Sequence, residues 1–304
     1  MDTQPTAHSV QRLKGQETEP QATWDEISDE SEGGLSCQVF GFTGAKGGVG
    51  TSTVALNVAM ALVQAGKKVI YVELSPYLGT AARLLQLPQT SAFRDSSLRP
   101  EDINRNFVSQ ILMQHSTGLE VFCVSPWTQD VGSPVSTENF AALLRELKEL
   151  TDYLVLDFPL EASVSSMLFL NQCHILDLVT EPDSICLSLA KTQVEFIQSQ
   201  CTTPLLLTPV NRSGIPPADG LQGIQDQIGL EAPVLIPPAA ELCHTAGVKK
   251  LPIVCINPNS VPALQFLKLG ERFLNYLRQD GSETARNRRA KDRRKTDRRN
   301  RGGW

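Results

Sequence analysis

Nothing in the 304 residues approaches the roughly 20 consecutive apolar side chains that a membrane-spanning helix requires, so no such span is expected. The first residues are polar and acidic rather than basic and then apolar, which excludes a secretory signal there and points to the cytoplasm. The seven cysteines include no C-x-x-C pair, and none of the four histidines stands two to five residues from a cysteine. That spacing argues against a structural zinc site. Several cysteines sit inside apolar runs, as buried thiols do in a reducing compartment. A composition 41% hydrophobic and 20% charged is ordinary for a globular chain, and this length is ample for one large α/β domain with a buried core.

Charge is distributed unevenly. Residues 286–301 carry ten Lys/Arg against two Asp, a balance of +8, although the whole chain stands at −5. Residues 1–36 hold eight acidic and two basic side chains, a balance of −6. This head is rich in Gln, Glu, Thr, Ser and Pro and cannot bury enough apolar surface to offset the entropy of ordering, so disorder is expected over 1–36. The tail, 281–304, repeats paired arginines every five residues from Arg288 (RRAKD, RRKTD, RRNRG), a period that fits neither helix nor strand. Solubilisation is one role open to it. Arginine forks also suit phosphates, so nucleic acid, an anionic membrane surface or an acidic partner are all candidate ligands of 286–301.

What the chain does possess is a loop around which the rest is organised. Phe40 to Asn57 reads FGFTGAKGGVGTSTVALN: a buried-strand run from Cys37, a glycine-dense loop, and a helix that Gly66 closes. Strand, glycine loop and helix in that order form the setting of a phosphate-binding loop. Gly44, Gly47, Gly48 and Gly50 lack a Cβ, so their amides can approach phosphate oxygens, and the helix beginning near Thr51 adds its positive end. Ser52 stands where such a loop offers a hydroxyl to magnesium. Laid from Gly44, the pattern G-x-x-x-x-G-K-[ST] requires lysine after Gly50, and here Thr51 takes that place, while a lysine occurs earlier as Lys46.

Strands and helices then alternate. Val69 to Glu73 reads as a second strand, about Pro100 to His115 as an amphipathic helix, and LEVFCVSP as a third strand. TENFAALLRELKEL is a helix with Thr137 as its expected N-cap and Glu138 in the first turn. The run Tyr153 to Leu156 closes on Asp157, a strand-end carboxylate suited to hold magnesium through water beside the loop hydroxyl. CHILDLVTEP is a strand, SICLSLAKTQVEFIQS a helix capped by Asp183 or Ser184, PLLLTPVNR a strand ending at Asn211, and APVLIPP the last strand. A final helix from Val261 shows spacing that fits packing on a sheet, with lying on a membrane as the alternative. The expected fold is a doubly wound, mostly parallel α/β sheet over 37–280, a P-loop NTPase, between the two tails.

KGGVGTST is similar to the deviant Walker A loop (KGGxGKT) of the ParA/MinD superfamily of dimeric ATPases. The absence of the second lysine, and YLGTAARLLQL after the second strand, resemble most the CpaE/TadZ branch of pilus assembly and localisation. The resemblance implies ATP and Mg2+ as cofactors, a cradle of Gly44, Ala45, Lys46, Gly47, Gly48, Val49, Gly50, Thr51, Ser52 and Thr53, and metal held by Ser52 and Asp157. It implies that Lys46 reaches across a homodimer to the partner's phosphates and that Asn211 and Arg212 lie against adenine. The family typically reads DxD where this chain has Glu73 and Ser75, so Glu73 either positions water or is a strand-end carboxylate with no catalytic duty. Three functions follow as expectations: a dimeric localisation or assembly switch with weak or absent hydrolysis; an active partitioning ATPase binding DNA through the basic tail; or a scaffold whose nucleotide site has decayed.

Overall fold

The computed structural model describes residues 37–75, 80–88, 93, 97–124, 136–159, 164–217 and 219–277. The acidic head and the arginine-rich tail, with the expectations placed on them, lie outside the described residues, as do 278–280 at the end of the expected domain.

Seven strands form one sheet: β1 (Gln38–Gly44), β2 (Val69–Glu73), β3 (Met113–Gln114), β4 (Glu120–Cys123), β5 (Tyr153–Asp157), β6 (Ile175–Thr180) and β7 (Leu205–Pro209). Their order is β3-β4-β2-β5-β1-β6-β7, parallel throughout except for the short β3, which runs antiparallel to β4. This is the expected doubly wound sheet. Its central strands are buried on both faces, which is why they read as nearly continuous apolar runs.

One face carries α1 (Thr51–Gln64), α2 (Ala81–Leu84), α8 (Ala240–Lys249), α9 (Ile253–Ile256) and α10 (261–277). The other carries α3 (Arg105–Ile111), α4 (Thr137–Lys148) and α5 (Val164–Gln172), then α6 (Ser184–Gln200) and α7 (Gly220–Ile228). The final helix is sheet cover: Ala263, Phe266, Leu269 and Phe273 are buried, and the Phe273 ring stacks on Phe40 at 4.9 Å between centroids. Each such ring withdrawn from water contributes about 1.5–3 kcal/mol, and a face already buried against the sheet is not presented to a lipid surface.

Three local expectations are corrected. The helix expected over Pro100–His115 is a 3-10 turn at Pro100–Asp102, then α3, then β3. Asn104 interrupts it by accepting from the amides of Asn106 and Phe107, which starts a new helix there, and the turn His115–Gly118 sends the chain back along β4. The cap of α4 is Ser136 rather than Thr137, its hydroxyl accepting from the Asn139 amide at 3.1 Å. APVLIPP forms only the isolated bridge Val210–Ile236, because its prolines lack the amides of a ladder. Helix α5 was not expected at all. For α6, Asp183 is the cap of the two expected, accepting from Ile185 and Cys186.

Candidate functional site

The carboxyl ends of β1, β2, β5, β6 and β7 converge on one edge of the sheet. Register dictates the neighbours there: Gly44 pairs with Val179 and Glu73 with Asp157. The glycine loop leaves β1 between β5 and β6, where the crossovers run to opposite faces. Ligands of open α/β sheets bind at such points.

The loop is rigidly specified. A Cβ on Gly44 would overlap Thr51 Oγ1 and lie 3.0 Å from Val49 Cγ2 and 3.1 Å from the Lys46 carbonyl oxygen, so only glycine fits. Gly50 caps α1 at φ 104°, a left-handed conformation that side chains resist, and contributes no side-chain cap. The first amides of α1, from Thr51 to Thr53, therefore face the loop without an intrahelical acceptor. Buried Val49 pins the loop, whereas Lys46, Gly47 and Gly48 are exposed along its rim. The Ala45 amide donates to the Val179 carbonyl at 2.8 Å, and Gln193 Nε2 donates to the Ala45 carbonyl at 3.2 Å, tying the loop to β6 and α6.

Beneath it lies Asp157, buried at the end of β5. Its carboxyl accepts from Tyr71 Oη at 2.7 Å and is hydrogen-bonded to the Ser52 hydroxyl. Burial pushes this acid up to about 6, with the nearby Glu73 charge adding to the rise and the Ser52 and Tyr71 bonds opposing it. The two oxygen ligands expected to hold magnesium, Ser52 and Asp157, are thus together. Tyr71, read from the sequence only as part of an apolar strand, is a third member of the group.

Glu73 is otherwise engaged. Its carboxylate accepts from the Thr80 amide at 2.8 Å and the Ala81 amide at 3.2 Å, and so anchors the start of α2. The Cys123 thiol, held fully protonated by burial, bonds to it as well. These contacts favour a strand-end carboxylate over a water-positioning base.

On the β6 side, Lys46 Nζ stands 3.4 Å from Glu181 Oε1. Arg212 Nη1 lies 3.3 Å from the same oxygen and donates to the Gly48 carbonyl at 2.6 Å. Glu181 escaped sequence reasoning; it sits just beyond β6, next to the loop only because β6 neighbours β1. Asn211 is engaged in its own turn, its Oδ1 accepting from Ser213 Oγ and the Gly214 amide and its Nδ2 donating to the Ile215 carbonyl at 3.0 Å. Those bonds fill its acceptor sites and leave one N–H. Asn211 and Arg212 nevertheless line a cavity of about 390 Å³ beside Gly48 and Gly50, with Val54, Ile236 and Phe266 among its apolar walls. Its far wall comes from α8, α9 and α10, which the sequence did not connect with the loop.

Among solved structures, the fold is similar to a ParA family ATPase from Chlorobium tepidum TLS, with TM-score 0.68 and 20% identity over 77% of this chain and 98% of that one. It is similar also to the septum site-determining protein MinD complexed with Mg-ADP from Pyrococcus horikoshii OT3, with TM-score 0.61 and 20% identity over 78% and 95%. A third is apo McdA of Cyanthece, with TM-score 0.61 and 14% identity over 78% and 99%. No curated protein sequence matches the chain. The ParA family model, described as NUBPL iron-transfer P-loop NTPase, matches residues 37–207, more than half of the chain. The chain therefore belongs to the ParA family of P-loop NTPases.

Proposed function

We propose that the chain binds ATP with Mg2+ and acts as a nucleotide-dependent homodimeric switch that localises or assembles surface machinery such as a pilus, in the manner of the CpaE/TadZ branch, with weak or absent hydrolysis. One observation carries the reading: the glycine loop from Gly44 runs into Thr51, so it offers no cation where the resembled loop has its second lysine.

The residues fit the ligands. The loop amides beyond Ala45, whose own N–H is spent on Val179, and the amides from Thr51 to Thr53 at the head of α1 would take the phosphate oxygens. The cavity beside Gly50 is apolar and of a size for a base, and the spare N–H of Asn211 and the Arg212 fork line it. Ser52 and Asp157 supply oxygen donors of the kind magnesium takes. A bound magnesium ion would neutralise charge on the β- and γ-phosphates. Lys46 stands exposed on the rim, from which its long side chain can reach a partner once it leaves Glu181. Glu73 anchors α2, and Ser75 leaves the following position without an acid, so activation of water is weak.

Iron transfer, named in the family description, is not carried to this chain, whose seven cysteines include no C-x-x-C pair. The +8 balance of residues 286–301 supports a second reading, an active partitioning ATPase that holds DNA through its tail. A plasmid partition protein of Borrelia burgdorferi is among the similar folds.

The test is ATP turnover and sedimentation on one purified sample, with magnesium, with and without DNA. Dimers with negligible turnover are the expected result. Turnover that rises with DNA, and loses that rise when 286–304 are removed, would replace the switch with the partitioning motor. Absence of nucleotide binding would leave a scaffold.

A further inference from the structure

We propose that Glu181 is a positioning residue for Lys46: it holds the lysine back on its own chain until a second copy docks, while Arg212 stands by to take over the carboxylate. The proposal rests on the reading of Lys46 as the residue that reaches a partner's phosphates.

The contact follows from register. Gly44 and Val179 are the last pair between β1 and β6, and two residues beyond it on either side stand Lys46 and Glu181, in contact although 135 positions separate them. Glu181 Oε1 receives both cations, Lys46 at 3.4 Å and Arg212 at 3.3 Å. The Glu181 side chain is only 20% exposed, so leaving it without a counter-charge would be costly. Arg212 removes that cost. It is held in place independently by the Gly48 carbonyl at 2.6 Å, so it remains on Glu181 when Lys46 departs. Lys46, 39% exposed and joined by one long contact, is the partner that leaves easily. The carboxylate is thus handed from one cation to the other, and release of Lys46 strands no charge.

Two exposed apolar side chains, Ile185 and Leu189, follow one turn apart on α6, immediately beyond this group. A second copy covering them would meet Lys46 at the rim of the same surface.

An exposed ion pair shifts an equilibrium by up to about fivefold. The competent fraction of each protomer is reduced by that factor, and a dimer needs two released lysines, so the effect on dimerisation is the square, up to about 25-fold. Glu181→Gln retains the shape and removes the charge. Acylation of the Lys46 amine in nucleotide-free protein, read by mass spectrometry against Lys191 on α6, is expected to rise about two- to fivefold in the variant at low salt and to converge with wild type at high salt. At saturating Mg-ATP, where any gain in nucleotide affinity no longer matters, the variant's dimer dissociation constant is expected to fall about four- to 25-fold. Unchanged acylation, or raised acylation with unchanged dimerisation, overturns the role of Glu181, while Lys46→Ala still abolishes the dimer and the reading of Lys46 stands. ATP-dependent dimers that survive Lys46→Ala overturn both.

Discussion

Replacing Asp177 by asparagine should stabilise the protein, and more at high pH than at low. Asp177 lies in β6 opposite Phe42 of β1 and Leu206 of β7, with no exposed surface. Its Oδ1 accepts from Thr208 Oγ1 at 3.0 Å, and its Oδ2 has no partner among the described residues. Burial pushes this acid up to about 7 from an ordinary 3.8, against the lowering effect of the Thr208 bond. The sign follows directly. Between those two values the unfolded chain gives up the proton and the folded one keeps it, so the unfolded state binds fewer protons and stability falls as pH rises. Below 3.8 both states are protonated and the loss vanishes; above 7 it is complete. Three pH units at about 1.4 kcal/mol each amount to about 4 kcal/mol. Asparagine has the shape of the protonated acid, keeps the acceptor for Thr208 and cannot ionise, so this cost disappears. Urea unfolding followed by circular dichroism should show a gain of up to about 4 kcal/mol at pH 8 and about 1.6 kcal/mol at pH 5. An equal gain at both values, or a loss at pH 8, would show that the buried carboxylate is ionised in the fold and would refute the reasoning.

The site makes two further predictions. Gly44→Ala forces a methyl group onto Thr51 Oγ1 and the Lys46 carbonyl, an overpacking cost of about 1–3 kcal/mol that the loop takes up by moving. ATP affinity by calorimetry should drop about tenfold to a hundredfold with the circular dichroism spectrum preserved, and wild-type affinity would show that the loop holds no phosphate. Glu73→Ala releases the amides of Thr80 and Ala81, at about 1–3 kcal/mol of stability. Whatever turnover the wild type has per bound nucleotide should persist in this variant, and its loss would return Glu73 to the role of water-positioning base.

The residues that make one element were legible in the chain itself. Glycine spacing from Gly44 to Gly50, an apolar run before it and a helix after it define a phosphate loop through local conformational freedom alone. Strands ending in Glu73 and Asp157 are equally local, because an apolar run and its closing carboxylate need no distant partner to be recognised. Errors fell where local chemistry competed: Asn104 broke a helix whose apolar spacing ran on, and prolines removed amides from the expected strand at APVLIPP.

Position in the sheet was decided only by tertiary structure. The order β5-β1-β6 places Glu181 against Lys46, and it cannot be read from either segment, because many sheet orders share the same alternation. The same holds for Tyr71, whose hydroxyl finds Asp157 86 positions away, and for Asn211, whose side chain turned out to serve its own turn. The cavity beside the loop needed α8, α9 and α10 to fold back beside α1 and β1. The sequence alone determined which residues can do phosphate chemistry, since that depends on side-chain type and local backbone freedom. Strand order and register decided which of them meet, since hydrogen-bonded pairing between distant strands sets those distances.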